Sequence, residues 1–141
     1  MSSPESPENQ ISQNKHDREA VFYLVFESLF NINTPREIID TAYAADNFDM
    51  NEAIEKKFLG IVENGEKLDE IIASASEKRT FVRVPKVSVA ILRIALYEIT
   101  EDNSIHENIS VSEAVRLAED FASDADVKFI NGVLGNYLRT R

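Results

Sequence analysis

A chain of 141 residues with 43% hydrophobic content is long enough for one domain with its own core and too short for two large ones. It has no cysteine, which excludes a disulfide framework and a zinc-thiolate site. With 15 basic against 25 acidic residues the formal net charge is −10, so the surface as a whole repels nucleic acid and any nucleic-acid contact has to be local.

Residues 1–14 are rich in Ser, Pro, Glu, Asn and Gln and bury too little apolar surface to offset their ordering entropy, so they are expected to be disordered. They have neither the basic end nor the apolar core of a signal peptide. The apolar run Ala20 to Phe26 falls far short of the roughly 20 residues that span a bilayer. A soluble, cytoplasmic protein with no membrane contact is the expectation.

Structure is expected from Lys15 onward, residues 15–141 forming one helical domain. "REAVFYLVFESLF" is apolar almost all round, which places the first helix at the centre of a bundle, ending by Asn31. Thr34-Pro35 reads as a cap and first turn for a second helix through about Ala45. Asn51 caps a third, with Ile54, Phe58, Ile61, Leu68 and Ile72 at helical spacing to about Ser76, interrupted in quality by Gly60 and Gly65. "EKRTFVRV" is a connector with room for one short helical turn. Pro85 then opens "PKVSVAILRIALYEIT", a second central helix. Ser110 and Glu113 have the spacing of a capping box at the head of the next helix, and Ser123 with Asp126 repeats it before the last. Strand signals are nearly absent, so the fold class is all-α, a compact bundle of about six or seven helices.

The chain offers little to catalysis. No glycine-rich phosphate loop follows a strand, and His16 and His106 are isolated, so no enzyme activity, cofactor or metal is expected. The polar features with a role to play are on the surface. Lys15 and Arg18 open the first helix. In "KFINGVL", Lys128, Phe129 and Asn131 have the means for a phosphate contact, a stacking surface and a base-edge hydrogen bond, the combination by which single-stranded RNA is held. Packing of Phe129 against another helix is the equal alternative. Asn131-Gly132, a hairpin signal elsewhere, falls within a helix here because Val127, Ile130, Leu134, Tyr137 and Leu138 share one face. Lys78, Arg79, Arg83 and Lys86 form a basic island round Phe81, read either as phosphate contacts or as salt bridges to the acidic helices of residues 110–126.

Two segments, "AILRIALYEI" and "SEAVRLAEDFASDADVKFINGVL", resemble the signature segments of the NusB transcription antitermination proteins, and "REAVFYLVFE" is similar to that family's first helix. The resemblance runs from about Lys15 to the C-terminus. It implies two packed three-helix subdomains, each round one central helix. It also implies pairing with the small-subunit ribosomal protein that acts as NusE, binding of boxA RNA, and loading of an antitermination complex on RNA polymerase, chiefly in ribosomal RNA operons. By the same resemblance the RNA-binding residues are Lys15, Arg18, Lys128, Phe129 and Asn131. The family's arginine-rich start is reduced here to "NKHDRE", where Asp17 opposes the two cations. The NusE partner is expected round the connector and the next helix start, where an acidic residue is common and this chain has Val82, Arg83 and Ser88. The alternative is a scaffold or homodimer that has lost RNA binding.

Overall fold

A computed structural model of the chain describes residues 7–46, 48–76 and 81–141. Seven α-helices and one 3₁₀ turn follow in order: α1 (Pro7–Ser28), α2 (Pro35–Ala45), α3 (Glu52–Glu63), α4 (Gly65–Ala75), the 3₁₀ turn (Phe81–Arg83), α5 (Lys86–Glu101), α6 (Glu107–Phe121) and α7 (Asp124–Thr140). No strand occurs among the described residues.

The helix boundaries follow local chemistry. Thr34 and Glu37 close a reciprocal capping box before α2, with Pro35 in the first turn. The Asn51 side chain accepts from the Ile54 N–H at 2.9 Å, and Ser123 and Asp126 cap α7 in the same reciprocal way as α2. Asn31 (φ 54°) and Asp46 (φ 53°) take the left-handed conformation that lets the chain leave α1 and α2, one that short polar side chains tolerate.

Three boundaries differ from the sequence reading. α1 begins at Pro7, eight residues ahead of Lys15, because a helix already nucleated extends at the cost of one residue's ordering per hydrogen bond gained. The other residues expected to be disordered, 1–6, lie outside the described ones. The expected third helix is two, broken at Asn64, whose side-chain amide donates to the Gly60 carbonyl at 2.8 Å and so competes with the helical ladder. The Ser110/Glu113 pattern is not a cap. α6 starts earlier, with the His106 side chain accepting from the Asn108 N–H, and Ser110 lies buried within the helix.

The core explains the two nearly all-apolar helices. α5 packs against α1, α3, α4, α6 and α7, and its Ile91, Leu92 and Leu96 are fully buried. Burial of such a side chain contributes about 1.5–3 kcal/mol. α1, α2 and α3 contact one another as one group, α4 to α7 gather round α5 as the other, and α1 and α3 join the two through α5. Rings of Phe22 and Phe121 stack at 4.9 Å, tying α1 to the end of α6.

Candidate nucleic-acid interface

The two groups of RNA candidates sit on α1 and α7, and α6 is fastened to both. α6 packs along α7, and its side chains hold α1 through the Arg18–Glu113, Arg116–Glu19 and Phe22–Phe121 contacts. Lys15 is exposed in the first half of α1, with no ion-pair partner among the described residues.

Arg18 corrects the sequence reading. It is 6% exposed, and its guanidinium donates to both oxygens of Glu98 at 2.9 Å and to Glu113 at 3.3 Å. A fork spent on one buried and one part-buried carboxylate has no free edge for phosphate, so its part is to hold α1 on α5 and α6. Glu98 is 0% exposed and also accepts from the Lys57 ammonium at 2.5 Å and the Ser110 hydroxyl at 2.8 Å. Burial pushes its carboxyl pKa up, but the hydrogen bond from Arg18 and the charge of Lys57 outweigh that and hold it below the ordinary carboxylate value. Glu113 continues the network to Arg116, which also reaches Glu19. The sequence held a signal for this: Glu98 is a carboxylate among apolar residues in the most apolar helix of the chain, and buried charges need partners.

On α7, Lys128 and Asn131 are exposed, and Lys128 has no ion pair among the described residues. Phe129 combines the two alternatives: it is half-buried, part of its ring against the core and part at the surface. Gly132 is exposed, and a Cβ there would meet nothing within 4 Å. Since no packing partner among the described residues requires this glycine, Gly132→Ala is expected to raise stability by about 1 kcal/mol, read as a higher melting temperature. If an RNA backbone approaches here, the same variant binds RNA more weakly.

The expected partner residues divide. Arg83 is exposed and unpaired among the described residues. Ser88 is 0% exposed, and its hydroxyl, without a hydrogen-bond partner among the described residues, faces the interior, which corrects its assignment to a partner surface. The side chain of Val82, like Lys78 and Arg79, lies outside the described residues. What the sequence did not single out is the apolar surface near Lys86. Phe30 is 48% and Ile32 81% exposed, the Lys86 ammonium sits 5.5 Å over the Phe30 ring, and a cleft of about 590 Å³ opens among Leu29, Pro35, Phe81 and Lys86. Among the described residues no cluster of His, Asp and Glu is arranged to hold a metal, and no helix is long and apolar enough to cross a membrane.

Comparison with known proteins places this arrangement. The NusB family model matches residues 15–139. The transcription antitermination protein NusB of Clostridium acetobutylicum is 36% identical over 129 residues, covering 89% of this chain and 95% of that protein. That of Oceanobacillus iheyensis is 31% identical over 126 residues, covering 89% and 98%. Among solved structures, NusB of T. maritima superposes with a TM-score of 0.76 at 24% identity, covering 100% of this chain and 94% of that one. A chain in a crystal structure of antitermination factors NusB and NusE in complex with dsRNA gives 0.78 at 22% identity, covering 91% and 97%. At such identities the superpositions show a shared fold.

Proposed function

The chain belongs to the NusB family, and from that premise we propose that it is a transcription antitermination factor. It binds boxA-type RNA together with the ribosomal protein NusE and helps load the antitermination complex on RNA polymerase, chiefly in ribosomal RNA operons, in the cytoplasm. It performs no catalysis. The observation that carries the reading is the start of α7, where the "KFIN" motif presents an unpaired Lys128, a half-exposed Phe129 and an exposed Asn131 on one short stretch. Lys128 and Lys15 take phosphates, Phe129 stacks on a base, and Asn131 reads a base edge. About half of the described cations of this acidic chain are neutralised, among them Arg36 by Glu55, Lys67 by Glu101 and Arg93 by Asp69. A lysine left unpaired in such a surplus of carboxylates is available to an external anion. NusE meets the surface of Lys86 and Phe30 and the exposed Arg83 nearby in sequence, through acidic and apolar groups that compensate for the basic residues here.

A second reading, a NusB-like scaffold or homodimer without RNA binding, is favoured by the burial of Arg18, which leaves Lys15 as the one candidate cation of that pair for RNA. Sedimentation velocity separates the two. The antitermination reading expects a species containing the chain, NusE and boxA RNA. A homodimer that forms without either partner and never incorporates RNA supports the scaffold instead.

A further inference from the structure

A cleft of about 770 Å³ lies between the first half of α1, α3 and the α5–α6 connection, away from the "KFIN" motif. Its rim includes Asn14 and Lys56, and its apolar side includes Tyr97, Ile105 and Ile109, the last 51% exposed. Its other charged groups are hydrogen-bonded, although Asp17 and Asp102, bonded to neutral donors, keep their negative charge. Arg18 and Lys57 are bound by Glu98, Glu101 takes the Lys67 ammonium, Asp102 accepts from the Ser104 N–H and hydroxyl, and Asp17 accepts from the Asn51 amide. Lys56 is different: it is exposed and has no ion-pair partner among the described residues. Lys15, also exposed and unpaired, follows Asn14 directly.

We propose that this cleft is a second RNA contact, in which Lys56 takes a phosphate and the attached nucleoside lies against Tyr97, Ile105 and Ile109. The uncompensated Lys56 ammonium on the rim offers a contact to one phosphate, and an exposed apolar wall beside it suits the face of a base. The volume is within the range of small-ligand sites. The assignment also supplies a physical substitute for the cationic surface that α1 lacks, since Arg18 is internal and α3 packs directly on α1. This inference rests on the RNA-binding reading above.

The test uses the full chain with NusE and fluorescein-labelled boxA RNA, comparing Lys56→Ala, Ile109→Ser and Phe129→Leu with the parent over a range of salt. Lys56→Ala is expected to weaken binding severalfold, reduce the salt slope by about 0.7 to 1, and leave the melting temperature unmoved because the side chain is exposed and unpaired. Ile109→Ser weakens binding with the slope unchanged. RNA carrying 4-thiouridine cross-links to the peptide holding Ile105 and Ile109. If Phe129→Leu weakens binding while Lys56→Ala and Ile109→Ser do not, and no cross-link reaches that peptide, the cleft is off the RNA path and the inference fails alone. A loss of NusE affinity without loss of RNA affinity in Lys56→Ala overturns it in favour of a protein contact. A parent chain that does not bind RNA overturns both readings.

Discussion

Glu98→Ala is expected to lower the stability of the fold by about 3–5 kcal/mol, the range for removing one partner of a buried ion pair, read as a shift of the urea midpoint. The size follows from what remains. Lys57 is 20% exposed at its side chain and turns to water, but Arg18 stays enclosed at 7% with only Glu113, at 3.3 Å, to face. An uncompensated guanidinium in the interior is the costly product, not the lost attraction itself. Because domains of this size are stable by only about 5–15 kcal/mol, the variant sits near its unfolding threshold at physiological temperature. Replacing the pair together, Arg18→Met with Glu98→Leu, is expected to restore much of the loss, since no charge is then left buried.

The same carboxylate gives the fold an acid dependence of known sign. Its pKa is depressed in the folded chain, so its contribution is fully present above the unfolded carboxylate value of about 4.3 and is lost as pH falls through the lower folded value. Denaturation midpoints measured between pH 7 and 3 are expected to fall more steeply at the acid end for the parent than for Glu98→Gln. Equal profiles would show that Glu98 is not held ionised by Arg18 and Lys57.

The largest effect on RNA binding is expected from Phe129→Leu. A base stacked on an aromatic ring contributes about 1–3 kcal/mol, so its loss weakens binding by roughly ten- to a hundredfold, with little change in salt slope because no charge is removed. Leucine keeps most of the apolar contact that the half-buried ring makes with the core, so the melting temperature stays close to the parent's. Phe129→Ala removes packing and ring together and is expected to lower both stability and affinity. A large fall in stability for Phe129→Leu, with RNA affinity intact, would assign the residue to the core alone.

Periodicity and capping chemistry located most of the helices because those signals are local. The Thr34, Asn51 and Ser123 caps are each a short side-chain-to-backbone loop written within four residues. The two central helices were legible from their all-round apolarity for the same reason. What stayed hidden depended on partners far along the chain. Arg18 read as a surface cation because Glu98, 80 residues away, neutralises it, and Ser110 with Glu113 read as a cap because their true partners are on α5, α1 and within α6 itself. Ser88 was placed at the partner surface by the family resemblance alone, and nothing in the α5 sequence says that it faces inward. Of the candidate site, the residues on α7 were legible as a motif. Phe30 and Ile32 were not, since an apolar residue at a helix end is uninformative until its surroundings show it uncovered.

The account's central claim is joint recognition of boxA RNA by this chain and NusE, and fluorescence anisotropy of labelled boxA RNA tests it most directly. The chain is titrated alone and with NusE at fixed salt, against a scrambled RNA of equal length. The account predicts weak binding by the chain alone, as suits a net charge of −10, a marked gain on adding NusE, and preference for boxA over the scrambled sequence. Affinity unchanged by NusE, or equal for the two RNAs, would contradict it.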